Sequence, residues 1–166
     1  MKKLFSAAIA ALLLLSLSAC AAKARRCETT YLDLFDTVTT VVAYRGDETA
    51  FSQEARAIHN ELLSYHRLYD IYNDYEGLNN LKTVNDNAGV APVEVDEKII
   101  GLLLRAKELY ALTDGRMNIA MGSVLSVWHD YREAGLSDPD SAQLPPMELL
   151  EEAGEHTDLS DVIIDE

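Results

Sequence analysis

The chain has 166 residues and a formal net charge of −14, from 28 acidic against 14 basic residues. Such an acidic surface repels nucleic-acid phosphates and gives the chain as a whole no attraction to anionic lipid headgroups. Nucleic acid is therefore excluded as a partner, and the length allows one domain with a real core.

The N-terminus has the pattern of a lipoprotein signal. Two lysines precede a run of apolar or small residues over positions 4–17, which is too short to cross a bilayer core of about 20 residues. The run is typical of a secretory signal peptide over residues 1–19. Leu17-Ser18-Ala19-Cys20 then resembles a lipobox, in which small residues admit the protease and the cysteine accepts diacylglycerol.

The lipobox predicts an extracytoplasmic protein that is lipid-anchored to the cell membrane through Cys20, with no other membrane contact. The alternative is an ordinary signal peptide in which Cys20 is incidental. Removing residues 1–19 takes away Lys2 and Lys3, which leaves 147 residues with 12 basic against 28 acidic residues, or −16. With Cys20 acylated only Cys27 remains, which excludes a disulfide framework and a cysteine metal site.

The remaining pattern predicts an α+β fold. Residues 20–30 read as a polar tether, and residues 31–44, rich in β-branched and aromatic side chains, as a strand. A helix follows, capped by Asp47 or Thr49, because apolar residues recur at steps of three and four. They are Phe51, Ala55, Ile58, Leu62, Tyr65 and Tyr69.

The second half of the chain adds loops and helices. Residues 73–91 are polar and predict a loop, and Asp96 caps a helix that ends where Gly115 can adopt a left-handed conformation. Residues 117–131 are apolar and ambiguous, and residues 147–153 predict a short helix after two prolines. Residues 162–164 read as the start of a strand.

That last strand would have no partner before Glu166, and open sheet edges are liabilities. We therefore expect the chain to be the N-terminal part of a longer protein. The alternative is a true terminus with disordered last residues.

Without the family resemblance, the residue pattern gives little evidence for a metal-binding or ligand-binding site. His59 and His66 lack the i, i+4 spacing of a helical metal pair, and solvated or interfacial positions are expected for them. The tyrosines at 65, 69, 72 and 75 lie partly at helical spacing, so core packing is their default interpretation. Tyr72, beside the polar loop, is best placed to stack on a planar ligand.

Residues 112–128 read as a helix end, a turn at Gly115, an extended piece and a second turn at Gly122 before an apolar segment with the single Trp128. Glycine turns let backbone N–H groups approach a ligand, as phosphate sites require. A purely structural turn would explain the pattern equally well.

Four segments in this order resemble the ApbE family of FAD:protein FMN transferases, formerly called thiamine-biosynthesis lipoproteins. Phe35-Asp36-Thr37 is similar to its opening strand, often Met-Gly-Thr, and residues 68–72 to the helix end before its polar loop. Residues 79–89 are similar to the loop that closes on an Asn. Thr113-Asp114-Gly115-Arg116-Met117-Asn118-Ile119 through Trp128 resembles its signature Thr-x-Gly-x-Phe/Met-Asp-Ile…Leu-Trp.

The resemblance covers residues 31–166 and implies the N-terminal part of an ApbE-like domain, truncated before its metal-binding half. Such enzymes use Mg²⁺ to transfer FMN from FAD to a threonine of an extracytoplasmic target protein, with a membrane redox subunit as a candidate, and release AMP. By position, the resemblance implies flavin contacts at Phe35 and Tyr72. It also implies that Arg116, Met117 and Asn118 line the FAD site.

Two departures bear on these contacts, since Asp36 replaces the usual Gly and Asn118 the Asp of many members. The resemblance places the metal ligands beyond Glu166 and leaves the catalytic residues unknown, so this segment alone is expected to be inactive. The alternatives are a lipoprotein that binds FAD or hydrolyses it to FMN and AMP, and a surface lipoprotein with no chemistry.

Overall fold

The structure, a computed structural model, describes residues 23–165. These residues form two compact units that are divided between Asp70 and Ile71. Within the described range, no helix has the length and apolarity needed to cross a membrane. The predicted signal peptide and Cys20 lie outside the described residues, so those interpretations stay predictions.

The first unit begins with a β-hairpin. Strand β1 (Arg25–Leu34) pairs antiparallel with strand β2 (Thr37–Arg45). The single strand predicted over residues 31–44 is therefore wrong, and so is the polar tether from Arg25 onward. Polar residues are accommodated in β1 because alternate side chains lie on opposite faces and the backbone groups pair with β2.

One helix covers this hairpin. Helix α1 (Glu48–Tyr69) has Asp47 as its N-cap, whose carboxylate accepts a hydrogen bond from the Thr49 backbone N–H at 2.8 Å. This confirms the predicted helix and selects Asp47 as its cap. Ile58, assigned to the apolar stripe, is 44% exposed. The buried side chains of this unit are Leu34, Phe51, Ala55 and Leu68.

The second unit contains a short helix that the sequence interpretation missed. Helix α2 (Leu81–Asp86) lies inside the predicted loop. Asn80 caps it, accepting a hydrogen bond from the Thr83 backbone N–H at 3.1 Å while the Thr83 hydroxyl accepts one from the Asn80 backbone N–H at 3.2 Å. Asn80 is fully buried, and this reciprocal capping box satisfies polar groups that would otherwise be costly to bury.

Helix α3 (Glu97–Leu112) confirms the second predicted helix, with Asp96 as N-cap. Its C-terminus closes through backbone hydrogen bonds from Gly115 to Tyr110, at 2.8 Å, and from Asp114 to Ala111, at 3.3 Å. This is the bonding pattern of a Schellman motif. Both Asp114, at φ 54°, and Gly115, at φ 78°, are left-handed, whereas the sequence suggested the glycine alone.

The ambiguous apolar stretch is helical. A 3₁₀ turn (Ile119–Met121) leads into helix α4 (Gly122–Ser137), and Gly122 has helical angles, φ −53° and ψ −42°. The predicted second glycine turn is therefore wrong. Helix α5 (Met147–Gly154) follows Pro146 as predicted, and packs against α4.

The predicted strand at residues 162–164 is also wrong. After a short 3₁₀ turn (Leu159–Asp161) the described residues 162–165 form no strand, because no strand of the described chain lies beside them. The Val162 carbonyl instead accepts a hydrogen bond from the Lys107 ammonium group. The described chain, with one hairpin and five α-helices, confirms the α+β class.

Candidate functional site

Phe35 lies at the tip of the hairpin, not within a strand as the family pattern suggested. Phe35 and Asp36 adopt positive φ angles of 55° and 51°, the left-handed region that a two-residue hairpin turn of type I′ requires at both positions. Asp36 stands where the family often has Gly, and Asp tolerates this region better than most residues. The departure at Asp36 is therefore compatible with the turn.

Helix α1 holds this turn in place. The Phe35 backbone N–H donates a hydrogen bond to Nδ1 of His66 at 2.9 Å. The two rings also meet edge to face, with centroids 5.6 Å apart and an interplanar angle of 81°. Phe35 stays 41% exposed, so part of its ring is accessible to a ligand.

A second histidine joins α1 to β1. His59 Nε2 lies 2.9 Å from Oδ2 of Asp33, and its ring lies 4.3 Å from the ring of Tyr31. The hydrogen bond with His59 lowers the pKa of Asp33 below its usual range. His59 and His66 are thus interfacial within the first unit, as expected.

Tyr72 belongs to the second unit and is not a core residue. Its side chain is 62% exposed, which excludes the core interpretation for this member of the tyrosine series. Its ring lies 5.9 Å from the ring of His129 in α4, tilted by 34°. Nothing in the sequence marks His129 as a functional residue beyond its position next to Trp128.

In the turn after α3, the backbone N–H groups donate hydrogen bonds to acceptors within the chain. The backbone N–H of Gly115 donates a hydrogen bond to the Tyr110 carbonyl, and that of Arg116 donates one to the Thr113 carbonyl at 3.3 Å. The Met117 N–H donates to the Thr113 hydroxyl oxygen at 3.0 Å. Three successive N–H groups are thus engaged inside the chain, so this turn would meet a ligand mainly through side chains and carbonyl oxygens.

Asn118 fixes the end of this turn with both atoms of its amide. Its Oδ1 accepts a hydrogen bond from the Ala120 N–H at 2.9 Å, which caps the 3₁₀ turn. Its Nδ2 donates to the Thr157 carbonyl at 2.8 Å. A carboxylate could replace the first bond but could not donate the second, so Asn at this position has a structural role of its own.

The side chains beside Asn118 are accessible. Arg116 is exposed and makes no ion pair with any described residue, and Met117 is 45% exposed. Trp128 in α4 is 42% exposed. The second unit therefore carries four of the five residues that the resemblance selects, and Phe35 lies in the first.

Residues 23–165 bring together no group of three or more His, Cys, Asp or Glu side chains that could hold a metal ion. The described residues thus do not fit a Mg²⁺ site. The placement of its ligands beyond Glu166 stays a prediction.

Comparison with known proteins decides the family. The model of the ApbE family matches residues 35–166, which is most of the chain. The chain belongs to the ApbE family. This confirms the resemblance read from the four segments, and ApbE membership supports a flavin-transferase-family role.

A solved ApbE structure shares the fold. The chain is similar to the crystal structure of the ApbE protein from Thermotoga maritima, with a TM-score of 0.65 and 23% sequence identity. The similarity covers 85% of this chain and 42% of that chain, so this chain spans less than half of the ApbE protein's length. No curated protein matches it.

Proposed function

We propose that the chain is the N-terminal part of an FAD:protein FMN transferase, which moves FMN from FAD to a threonine of an extracytoplasmic target protein. The observation that carries the proposal is the ApbE family match over residues 35–166. Transfer to protein is the reaction implied by the resemblance in the family's signature segment at residues 113–128.

The proposed reaction is a displacement at phosphorus. The threonine hydroxyl oxygen forms a bond to the phosphorus of the FMN half of FAD, and the bond from that phosphorus to the oxygen bridging to AMP breaks. AMP leaves with the electron pair, and a general base accepts the hydroxyl proton. Mg²⁺, held by ligands that the resemblance places beyond Glu166, would neutralise charge on the pyrophosphate.

The described residues would contribute binding. Phe35 in the first unit and Tyr72 in the second each expose aromatic surface of the kind that stacks on a flavin ring system. The exposed guanidinium of Arg116, unpaired among the described residues, has the charge and planar geometry to contact the pyrophosphate. Met117 adds apolar contact, and Asn118 holds the turn on which both lie.

We further propose that residues 1–19 are removed and that Cys20 anchors the mature protein to the outer face of the cell membrane. The lipobox pattern supports this placement. The tether after Cys20 is shorter than the predicted residues 20–30, because β1 begins at Arg25. The domain would then run from β1 through residue 166 and beyond.

The full-length protein tests the function. Incubation with FAD, Mg²⁺ and a target protein that carries the acceptor threonine should give AMP and a target heavier by one FMN less water. An acceptor with Val in place of the threonine should stay unlabelled. Free FMN and AMP with either acceptor would instead establish the hydrolase, and unchanged FAD would establish a non-catalytic lipoprotein.

A further inference from the structure

The first unit contains a cavity of about 600 Å³ that the proposed flavin site does not use. Residues from β1, from the end of β2 and from the start of α1 line it. Its volume lies within the range of small-ligand pockets. Four arginines are among its lining residues, all of them exposed: Arg25, Arg26, Arg45 and Arg56.

Two of these arginines have their charge compensated. Arg26 pairs with Glu28 at 2.6 Å, and Arg45 pairs with Glu54 at 2.8 Å.

The other two are not compensated. Arg25 and Arg56 make no ion pair with any residue in the described part of the chain. The remaining acidic side chain in the lining is Glu48, so the cavity keeps an excess of positive charge.

This cluster of arginines contrasts with the acidic charge of the rest of the described chain. Residues 23–70 hold six basic and eight acidic residues, whereas residues 71–165 hold six basic and 19 acidic ones. Most of the negative charge thus lies in the second unit, with −13 against −2 in the first. The repulsion from anionic surfaces inferred from the whole sequence does not apply to the arginine-lined end of the first unit.

The cavity also lies at the end of the first unit that is nearest to the proposed anchor. In the strand register, Arg25 of β1 lies opposite Arg45 of β2 at the open end of the hairpin. It follows Cys20 by five residues, which span at most about 18 Å when fully extended. An anchor at Cys20 therefore holds Arg25 close to the headgroups, where basic side chains are attracted to anionic lipid.

We propose that the arginine-lined cavity docks on the phosphate groups of anionic membrane lipids and fixes the orientation of the first unit on the membrane. This inference rests on the proposed lipid anchor at Cys20. Guanidinium groups bind phosphate oxygens through paired hydrogen bonds. Tyr44, opposite Arg26 in the register and 65% exposed, supplies an aromatic ring of the kind found at headgroup level.

The test uses the mature full-length lipoprotein in vesicles of phosphatidylcholine, alone or mixed equally with phosphatidylglycerol. An arginine-selective glyoxal reagent followed by mass spectrometry measures the modification rate of each arginine. In the anionic vesicles Arg25 and Arg56 should react at least about threefold more slowly. Arg105 and Arg132, paired with acidic residues in the second unit, should react equally in both.

Salt and a free anion separate the sources of protection. The protection should vanish between about 0.1 M salt, where the Debye length is about 10 Å, and about 1 M, where it is about 3 Å. Inorganic phosphate added to the phosphatidylcholine vesicles should protect neither arginine. Equal protection by free phosphate would identify a small-anion site and overturn docking on lipid.

A double variant tests the residues themselves. Arg26 and Arg45, which line the same cavity, should also be protected in the anionic vesicles at low salt. Arg25→Gln with Arg56→Gln should abolish this protection of Arg26 and Arg45, while Arg105→Gln with Arg132→Gln should preserve it. Protection that survives the first pair of substitutions would overturn the assignment.

Flotation separates the anchor from the docking. A protein that floats with both kinds of vesicle but shows no protection overturns the docking alone. A protein that floats with neither overturns the anchor, and the docking with it. Neither result bears on flavin transfer, which is assayed separately.

Discussion

The backbone N–H of Phe35 donates a hydrogen bond to Nδ1 of His66, 2.9 Å away across the first unit. A turn between two strands is thus held by a side chain from the helix that covers them. Since Nδ1 is the acceptor, the imidazole must lack a proton on this atom. The same pair of residues fixes both the backbone of the turn and the edge-to-face contact of the Phe35 ring.

Replacing His66 should loosen the hairpin turn. We expect His66→Ala to lower the free energy of unfolding by about 1–2 kcal/mol, because a hydrogen bond and an aromatic contact are both lost. Urea denaturation followed by circular dichroism measures the loss. His156→Ala, at an exposed histidine of the second unit, is the matched control and should change little. Equal midpoints for the two variants would contradict this role of His66.

The Asp33–His59 contact should make stability depend on pH in the acid range. The pKa of Asp33 is lowered in the folded chain, so its contribution is present above the unfolded pKa of about 3.9. It is lost as the pH falls through the folded value. The difference in urea midpoint between wild type and Asp33→Asn should therefore shrink from pH 5 to pH 2.

Asp140→Asn, at an exposed residue of the second unit, serves as the control and should not reproduce this trend. A gap between wild type and Asp33→Asn that stays constant, or widens, toward low pH would show that the contact does not couple to the ionisation of Asp33.

Asn118→Asp, which introduces the residue common in the family, tests whether the Asn118 amide stabilises the fold by donating one hydrogen bond and accepting another. The substitution removes the donor to the Thr157 carbonyl and places a carboxylate beside that oxygen. We expect a loss of about 1–3 kcal/mol in unfolding free energy, measured by denaturant titration. Asn118→Ser, which keeps a short acceptor for the cap, is the comparison. A more stable Asp variant would mean that the contact with Thr157 contributes nothing.

Tyr72 should matter for FAD and not for stability. In the full-length protein, we expect Tyr72→Ala to weaken FAD binding about tenfold, since stacking contributes on the order of 1 kcal/mol beyond area burial. The exposure of 62% predicts little change in the unfolding midpoint. Fluorescence titration with FAD and a denaturant melt measure the two quantities.

Two variants complete this experiment. Tyr72→Phe keeps the ring and should bind FAD nearly as wild type. Tyr44→Ala removes a similarly exposed tyrosine, 65% accessible in β2, and should leave FAD affinity unchanged. A Tyr72→Ala variant with normal affinity and a collapsed midpoint would show that Tyr72 serves packing.

Cys20→Ala should leave the protein without lipid. The lipobox needs the thiol to accept diacylglycerol, so the variant should move to soluble fractions or keep its signal peptide. Metabolic labelling with a radioactive fatty acid, alongside fractionation, measures both outcomes. Cys27→Ala is the control and should be labelled normally. Normal labelling of the Cys20 variant would contradict the lipobox.

The regular helices were predictable because their signals are local. Asp47 and Asp96 each precede an apolar stripe with a period near 3.6, and both cap their helices as expected. The hairpin was missed because its turn is Phe35-Asp36, without the Asn or Gly that marks most such turns. Its left-handed angles occur together with the tertiary contact to His66, which has no trace in the local sequence.

The candidate site was predictable only in part. Asn80 and Thr83 have the spacing of a capping box, but Asn and Thr are a weaker signal than the usual Ser or Thr followed by Glu. The pairing of Tyr72 with His129 joins residues 57 positions apart along the chain, which no local pattern can indicate. Tyr72 could be singled out by its position beside the polar loop, whereas the selection of Phe35 and residues 116–118 came from family resemblance.

The closed hydrogen bonding of the turn at residues 113–118 bears on how a ligand would be selected there. The N–H groups of residues 113–117 have partners before any ligand arrives, so binding would incur little loss of backbone entropy at this point. A preorganised turn can accept only molecules that match its existing contour. Discrimination would then arise from shape and from the reach of Arg116, and an ill-fitting nucleotide could not be accommodated by refolding the loop around it.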